Sequence, residues 1–258
     1  MSKPVVVVTG ASRGIGLAVT RHLLSPAFNA VVVAISRSRS PELFELGLSN
    51  PDLDIVTCDI TDEHKLTTEL RHAAEKYHGI DALILNAGIL DPVGKVADSS
   101  IPLDEWKRHF DVNFFSLITA VRGALPALRK SRHGGRIVFV SSGAAAKGTA
   151  AWGPYNASKA AMNSLCRTLA EEEPDVTSVA LRPGMVDTDM QAEIRSVGAT
   201  SLAPADYDKF VQAYNSGKLV KPEDCGHVIA ALALRADKML SGQFVSWDAE
   251  ECNDYRQA

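Results

Sequence analysis

The stretch VVVVTGASRGIG, residues 5–16, decides the fold of this chain. Its opening run of β-branched residues is typical of a parallel strand that is buried on both faces of a sheet. A glycine-rich turn follows, and Ile15, Val19, Leu23 and Leu24 then recur at the spacing of an amphipathic helix. The stretch therefore predicts a strand, a tight turn and a helix, which together begin a βαβ unit.

The glycines of this turn match a fingerprint for binding the pyrophosphate of a dinucleotide. Gly10 permits the tight turn, Gly14 lets the backbone approach the phosphates, and Gly16 allows the helix to pack closely on the strand. The N-terminus of the helix offers N–H groups and the positive end of its dipole to an anion. The predicted contacts in this segment are Gly10, Ser12, Arg13, Gly14, Ile15 and Gly16.

Strands and helices continue to alternate along the rest of the chain. Helices are predicted over about 106–130 and over 154–172, and buried strands at 30–35, 53–57, 82–85, 136–141, 177–181 and 243–247. This alternation implies an α/β fold with a three-layer, doubly wound parallel sheet (a Rossmann fold) and a single domain over residues 1–258. The least patterned segment, at about 189–218, is interpreted as a lid, because ligands bind beyond the carboxyl ends of such strands.

Composition argues against several other classes of protein. The formal net charge is −4, so no basic excess favours nucleic acid or an anionic membrane. The four cysteines are scattered, with no CxxC pair and no histidine at metal-ligand spacing, which predicts reduced thiols and no metal site. Without a signal peptide or an apolar run of about 20 residues, a cytoplasmic protein is expected.

The residues after the second predicted strand indicate which nucleotide is bound. A carboxylate that selects NAD would lie about 20 residues beyond the glycines, where this chain has Ser36 followed by Arg37. No acid stands there to repel a 2′-phosphate, and Arg37, with Arg13, can pair with one. The sequence therefore favours NADP(H), and Arg39 is interpreted as a solvated surface residue.

Two more segments follow strands that lead to the same edge of the sheet. Asp59, which precedes Ile60, could bond an adenine amino group or could cap the helix that begins near Thr61. Asn86-Ala87-Gly88 ends the fourth strand and could form a wall on the cofactor side. Asp59, Ile60, Asn86, Ala87 and Gly88 are therefore candidate cofactor contacts.

A tyrosine and a lysine lie four residues apart on a predicted helix, so the side chains of Tyr155 and Lys159 share a face. Ser142 lies thirteen residues before Tyr155, and Asn113 lies in the long preceding helix. With TGASRGIG at 9–16, NAG at 86–88 and Pro183-Gly184, these residues make the chain resemble the short-chain dehydrogenase/reductase family over nearly its whole length.

That resemblance implies an NADPH-dependent carbonyl reductase. Tyr155 would donate a proton to the carbonyl oxygen, and Lys159 would lower the pKa of Tyr155 and bond the nicotinamide ribose. Ser142 would polarise the carbonyl, and Asn113 would hold the backbone and a water that relays protons to Lys159. The segment after the sixth strand would hold the nicotinamide carboxamide, with contacts from Pro183, Gly184, Val186 and Thr188.

Within the family, the second half of the chain resembles the sepiapterin reductase and benzil reductase branch, at residues 151–155, 171–174, 183–191, 217–220 and 241–248. The resemblance implies reduction of one carbonyl of a vicinal diketone to an (S)-benzoin-like hydroxyketone. Trp152 would line the substrate pocket beside Ser142 and Tyr155, with Met185, Met190 and Leu219 as further walls. Met185 and Leu219 could equally be core or dimer contacts.

Other readings stay open from the sequence alone. A sepiapterin-type pterin substrate is one, but the tail that carries Asp248 matches that branch poorly beyond Trp247. The same residues could oxidise a secondary alcohol with NADP, and an NADP(H)-binding sensor could share the fold. The resemblance also implies a homodimer, or a tetramer, acting on a small carbonyl compound.

Overall fold

A computed structural model of the chain describes residues 2–256, and seven strands form its central sheet. They are β1 (Val5–Thr9), β2 (Val31–Ser36), β3 (Leu53–Thr57), β4 (Ala82–Leu85), β5 (Gly135–Val140), β6 (Val176–Arg182) and β7 (Phe244–Ser246). The order across the sheet is β3-β2-β1-β4-β5-β6-β7, and every pairing is parallel. The strand order reverses between β1 and β4, where open α/β sheets place their ligands.

Nine α-helices of the described chain surround the sheet. They are α1 (Gly14–Leu24), α2 (Pro41–Ser49), α3 (Glu63–Lys76), α4 (Leu103–Phe110), α5 (Ser116–Leu128), α6 (Gly153–Glu172), α7 (Asp189–Ser201), α8 (Pro204–Asn215) and α9 (Pro222–Arg235). Helices α1 and α9 pack on one face of the sheet, and α3, α5 and α6 pack on the other. The predicted three-layer, doubly wound α/β fold in a single domain is confirmed.

Strand β1 shows why the opening run of valines predicts a central strand. Its side chains alternate between the two faces, so Val6 and Val8 enter the core under α1 and α9, while Val5 and Val7 enter the core under α3, α5 and α6. All of them are buried. A strand covered on both faces needs apolar side chains at every position, which explains the unbroken run.

The single long helix predicted over about 106–130 is wrong in two respects. It starts earlier, as α4, and a π-helical turn at Asp111–Phe115 separates α4 from α5. Asn113 lies in that wider turn and is fully buried. Turns of this kind are rare within helices and occur often at functional sites, and hydrophobic spacing alone carries no signal for them.

The segment at 189–218, which shows little pattern in the sequence, contains the two helices α7 and α8. These two helices pack against each other: a Cβ added to Gly198 would lie 2.9 Å from the ring of Tyr207, so the helices approach closely there. The Arg195 guanidinium lies 3.8 Å from the ring centroid of Tyr214. Pairwise contacts of this kind leave only a weak periodic signal in the sequence.

Three further observations concern the cysteines, the length of the apolar helices and the groups that could hold a metal ion. All four cysteines are buried and unpaired, and burial raises the pKa of Cys166 to about 12, which disfavours a reactive thiolate. Within residues 2–256, no helix is long and apolar enough to cross a bilayer. In the same residues, His, Cys, Asp and Glu side chains do not gather in groups of three or more that could hold a metal ion.

The contact between α1 and the loop after β1 yields a stability prediction. A Cβ added to Gly16 would lie 2.2 Å from the Gly10 carbonyl oxygen and 2.6 Å from Asn86 Nδ2. Because backbone cannot move aside cheaply, we expect Gly16→Ala to cost about 1–3 kcal/mol, the usual range for overpacking.

Thermal unfolding tests this, with Gly148→Ala as the control, since a Cβ at Gly148 meets no atom within 4 Å. The control should stay within about 0.5 kcal/mol of the wild-type protein. Equal stability of the two variants would contradict the importance of this contact.

Candidate active site

A cleft of about 1060 Å³ opens at the carboxyl edge of the sheet. Gly16, which was predicted as a contact, lies beneath this cleft and allows the close approach of α1 to β1. The other predicted cofactor residues line the cleft: Gly10, Ser12, Arg13, Gly14, Ile15, Ser36, Arg37, Asp59, Ile60, Asn86, Ala87, Gly88, Tyr155, Lys159, Pro183, Gly184, Val186 and Thr188.

The loop after β1 has the shape that a diphosphate requires. Gly10 and Gly14 have positive φ values of 68° and 53°, which favour glycine. In the described chain no side chain accepts a hydrogen bond from the N–H groups of the first turn of α1. The N–H groups of that turn therefore remain for an anion at the cleft, so this end of the site fits the phosphates of a nucleotide.

Asn86 holds this loop in place. Its Nδ2 donates to the carbonyl oxygens of Thr9 and Gly10 at 3.0 and 3.1 Å. The Thr9 hydroxyl in turn accepts from the backbone N–H groups of Asn86 and Ala87. The end of β4 is thereby tied to the end of β1, and Asn86 acts through the loop as well as forming part of the wall.

The arginines near the cleft occupy three different environments. Arg13 forms an ion pair with Asp189, at 2.6 Å between Nη1 and Oδ2, which links the loop after β1 to the first residue of α7. Arg37 lines the cleft, whereas the Nε of Arg39 donates to Thr57 Oγ1 outside it. Arg13 therefore has a carboxylate partner that the sequence did not predict, whereas Arg37 lines the cleft after the end of β2.

Asp59 does not cap the following helix, so that alternative is wrong. Asp62 caps α3 instead, by accepting from the N–H of Lys65 at 3.0 Å. Asp59 Oδ1 accepts from the N–H and hydroxyl of Thr61. Burial alone would raise the pKa of Asp59, but these bonds and the charge of Arg37 outweigh it and lower the pKa. Asp59 is thus a carboxylate at the mouth of the cleft.

Tyr155 lies on the first turn of α6 with its ring against Trp152, at 5.6 Å between ring centroids and nearly perpendicular. Burial raises the pKa of Tyr155, and a hydrogen bond with the Ser142 side chain offsets part of that increase. The Tyr155 hydroxyl is therefore protonated at neutral pH. Lys159 was predicted to lower the pKa of Tyr155, but in this structure burial dominates.

The Ser142 hydroxyl lies at the cleft and can donate a hydrogen bond there. Its Oγ already accepts from the N–H of Ala144 at 3.2 Å, at the start of a short 3₁₀ turn after β5. A serine hydroxyl has one hydrogen to donate and two lone pairs, so this accepted bond leaves its hydrogen available for another partner. Ser142 and Tyr155 both line the cleft, and the Ser142 side chain lowers the pKa of Tyr155.

Lys159 lies one turn further along α6, with its Nζ 5.8 Å from the Tyr155 ring centroid. Only 4% of the residue is exposed, and Nζ donates to the Val140 carbonyl oxygen at 2.8 Å. Burial of the charge lowers the pKa of Lys159 to about 8. The ammonium is therefore protonated at neutral pH but close to titrating.

Asn113 lies behind the cleft and forms two hydrogen bonds with the backbone of the segment after β4. Its Oδ1 accepts from the N–H of Ile89, and its Nδ2 donates to the carbonyl of the same residue, both at 2.9 Å. These two hydrogen bonds to Ile89 are the kind of contact expected if Asn113 holds the backbone, as predicted. A Cβ added to Gly88 would lie 3.3 Å from Asn113 Oδ1 and 3.9 Å from Lys159 Nζ, so amide and ammonium border the same space.

The segment after β6 is fixed by a short strand-like contact between Val186 and Val220. The N–H of Asp187 donates to the Val220 carbonyl, and the N–H of Val220 donates to Met185. Val186 thus directs its own N–H and C=O away from Val220. Its carbonyl accepts the Thr188 hydroxyl at 3.3 Å, and the Thr188 methyl would lie 3.1 Å from a Cβ on Gly14.

An apolar wall closes the end of the cleft near Tyr155. Trp152 packs on Phe210 of α8, with ring centroids 5.4 Å apart, and both line the cleft with Ile194 of α7. Phe210 and Ile194 had not been singled out, because the sequence does not indicate which side of α7 and α8 faces the site. These wall residues belong to one cluster: Leu90, Ala144, Ala151, Trp152, Tyr155, Ile194 and Leu202, with Met190 and Phe210 against it.

The remaining substrate candidates divide between the cleft and the surrounding structure. Met185 and Met190 line the cleft. Leu219 is not part of the cleft lining. Asp248 also lies outside it, in the turn after β7, where it accepts the hydroxyl of Ser246.

The chain belongs to the short chain dehydrogenase family, whose model matches residues 4–198. It is therefore an oxidoreductase of a family that binds a nicotinamide cofactor, NAD or NADP. The crystal structure of a short chain dehydrogenase/reductase from Saccharomyces cerevisiae superposes with a TM-score of 0.93 at 36% identity, covering 98% of this chain and 100% of that one.

Characterised and uncharacterised relatives agree with this assignment. An uncharacterised oxidoreductase of Schizosaccharomyces pombe is 44% identical, covering 95% of this chain and 97% of the relative. A benzil reductase ((S)-benzoin forming) of Saccharomyces cerevisiae is 35% identical, with 95% and 96% covered. A sepiapterin reductase of Meriones unguiculatus is 34% identical, with 94% and 95% covered. The predicted family is confirmed, and so is the predicted resemblance to the sepiapterin reductase and benzil reductase branch.

The buried ammonium of Lys159 predicts a pH-dependent stability. Its pKa of about 8 in the folded chain lies below the ordinary 10.5, so the unfolded chain holds this proton more tightly. The contribution of Lys159 is therefore most unfavourable below pH 8 and improves as pH rises towards 10.5. We expect the stability of Lys159→Met relative to wild type to fall by about 2–3 kcal/mol between pH 7 and pH 10.

Urea unfolding of the cofactor-free proteins at both pH values measures this difference. Lys147→Met, at an exposed lysine of the same cleft, controls for the loss of a surface charge. A stability difference between Lys159→Met and wild type that is the same at pH 7 and pH 10 would show that the lysine is not buried as a cation.

Proposed function

We propose that this protein is an NADPH-dependent carbonyl reductase that reduces one carbonyl of a vicinal diketone to a hydroxyketone, in the manner of benzil reduction to an (S)-benzoin. One observation carries the proposal. A hydroxyl donor, a protonated tyrosine and a buried ammonium (Ser142, Tyr155 and Lys159) converge between a phosphate-binding loop and an aromatic wall.

The side chains divide the work at the carbonyl. When bound, the nicotinamide supplies the hydride. Ser142 donates a hydrogen bond to the carbonyl oxygen and stabilises the negative charge that develops there. Tyr155 transfers its phenolic proton to the same oxygen, and the Lys159 ammonium stabilises the tyrosinate that remains.

The state of Tyr155 favours reduction over oxidation of an alcohol. Reduction needs a protonated acid, whereas oxidation needs the deprotonated base. Because burial raises the pKa of Tyr155, the acid form predominates at neutral pH. The alternative of a secondary alcohol dehydrogenase would require the tyrosinate before substrate oxidation begins.

The choice of NADP(H) rests on the cleft wall after β2. Ser36 ends that strand where an NAD-selecting enzyme would carry a carboxylate, and Arg37 follows it at the cleft. Arg13 can contribute a second guanidinium group if it exchanges Asp189 for phosphate. The proposed cofactor is therefore NADP(H).

The substrate class follows from the shape and polarity of the wall. Trp152 and Phe210 present flat apolar surfaces next to Tyr155, which suits an aromatic or planar group beside the reacting carbonyl. The benzil reductase of yeast is a relative with that chemistry in its name. A pterin is less well supported, since the carboxylate expected to bind it, Asp248, lies outside the cleft.

The proposal also includes a lid over the substrate and a homodimeric state. Met190 and Ile194 of α7 and Phe210 of α8 line the cleft from the segment 189–218, so this segment is proposed to cover the substrate. A homodimer in the cytoplasm is proposed from the family resemblance. Phe115, next to α5, is 52% exposed and is available for such an interface.

Tyr155→Phe tests the main proposal. The change keeps the ring against Trp152 and removes the proton donor, so kcat with NADPH and benzil should fall by about 10²–10⁴-fold. NADPH binding, measured by fluorescence, should persist. The substrate panel pairs aromatic and aliphatic vicinal diketones with single ketones, and the aromatic diketones should have the highest kcat/KM.

Full activity of the phenylalanine variant would exclude Tyr155 as the acid. A wild-type protein that binds NADPH but reduces none of these compounds would favour the sensor alternative instead.

Arg37→Ala tests the nucleotide preference. Loss of a charge-assisted bond to the 2′-phosphate should weaken NADPH binding about tenfold to a hundredfold and leave NADH binding nearly unchanged. Arg39→Ala is the matched control, because Arg39 is two residues away and contacts Thr57 rather than the cleft. Equal losses for NADPH and NADH in Arg37→Ala would contradict a role in selecting the phosphate.

A further inference from the structure

His109 is a buried histidine that neither the sequence patterns nor the proposed chemistry use. It lies in the last turn of α4, just before the π-helical turn that carries Asn113, and none of it is exposed. Both ring nitrogens have partners. Nδ1 lies 2.6 Å from the Asp91 carbonyl oxygen, and Nε2 lies 2.8 Å from Asn113 Nδ2 and 3.0 Å from Ser158 Oγ.

The backbone of Ile89 determines which way the Asn113 amide points. The Ile89 N–H can only donate and its carbonyl can only accept, so Asn113 Oδ1 must face the first and Nδ2 the second. One N–H of the Asn113 amide is used by Ile89. The other points at His109 Nε2.

This orientation determines the protonation of the histidine. Because Asn113 donates to Nε2, that nitrogen must accept, and the ring proton resides on Nδ1. Nδ1–H then donates to the Asp91 carbonyl, which has no proton to give. Burial lowers the pKa of His109, with the Lys159 and Arg108 charges acting in the same direction and Asp91 opposing them, so the ring is neutral at neutral pH.

The histidine also reaches the helix that carries the proposed acid. Ser158, which precedes Lys159, places its hydroxyl 3.0 Å from Nε2 and 3.1 Å from the Tyr155 carbonyl oxygen. The ring itself lies 6.2 Å from the Tyr155 ring, nearly perpendicular to it. One side chain therefore contacts the loop after β4, the π-helical turn and α6.

We propose that His109 is a positioning residue: as a neutral Nδ1–H imidazole, it accepts the second N–H of the Asn113 amide and so acts together with Ile89 to hold the amide oxygen towards the space next to Lys159. The Gly88 contacts described above place Asn113 Oδ1 and Lys159 Nζ around that space. An amide turned over would direct N–H groups at the ammonium and at the Ile89 N–H. The catalytic part of this proposal rests on the proposed reductase function.

Two conservative variants separate the two bonds of the ring. In His109→Gln, the amide oxygen lies near the former Nε2 position and can still accept from Asn113. In His109→Asn, the amide nitrogen lies near the former Nδ1 position and can still donate to Asp91, but no acceptor is left for Asn113. Each variant thus keeps one contact and loses the other.

We expect His109→Gln to keep kcat close to that of the wild-type protein. In His109→Asn, kcat should fall by up to about a hundredfold, as small misplacements near a reaction centre do. KM for NADPH should not change in either variant, and kcat should be corrected for the folded fraction. If both variants lose activity only in proportion to unfolding, the role of His109 is structural and the proposal is wrong.

A measurement on the cofactor-free protein keeps the proposal independent of turnover. Nitrogen-15 NMR of the His109 ring should show the Nδ1–H tautomer throughout about pH 6–8, without titration. NMR of the lysine side chain should show the pKa of Lys159 near its wild-type value of about 8 in His109→Gln and lower in His109→Asn.

The outcomes distinguish the two proposals. An Nε2–H or doubly protonated ring at pH 7, or a Lys159 pKa that is equal in both variants, would overturn the role of His109 whatever the substrate. A wild-type protein that reduces no carbonyl compound would overturn the proposed function. The His109 tautomer and the Lys159 pKa would still test the positioning role of His109.

Discussion

The contact between Gly16 of α1 and the carbonyl of Gly10 is the constraint on which the site depends. It is too close for any side chain at position 16, and Asn86 bonds the same carbonyl from the end of β4. The first helix, the first strand and the fourth strand therefore meet at one point. The cleft opens there because the strand order reverses between β1 and β4, leaving the helix N-terminus uncovered.

The opposite end of the cleft is built at a cost in stability. The Lys159 ammonium is buried, as is the Tyr155 ring that packs on Trp152. The only hydrogen bond that Lys159 donates within the described chain goes to a backbone carbonyl. Burying a charge without a carboxylate partner is unfavourable. The same burial lowers the pKa of Lys159 to about 8 and raises the pKa of Tyr155 above its ordinary value, so the two pKa values lie further apart than in water and the phenolic proton is held on Tyr155.

Behind these groups, a neutral hydrogen-bonded network supports the cation. Asn113 occupies every polar atom of its amide, and His109 uses both ring nitrogens. A buried network in which every polar atom has a partner is rigid, because turning over the amide or the ring would place a donor opposite a donor. The π-helical turn places Asn113 where it can reach Ile89 and His109 together.

Much of the fold and part of the site could be predicted from the sequence, because those features depend on local chemistry. Valine runs, the glycines at 10, 14 and 16, and the four-residue step from Tyr155 to Lys159 act through backbone geometry and helical periodicity. The tertiary structure alone decided the rest: the π-helical turn, the pairing of Arg13 with Asp189, the aromatic contact of Phe210 and the bonds of His109. These join residues that are distant in sequence or change helical phase, and whether such groups meet is determined by how the whole sheet and its helices pack.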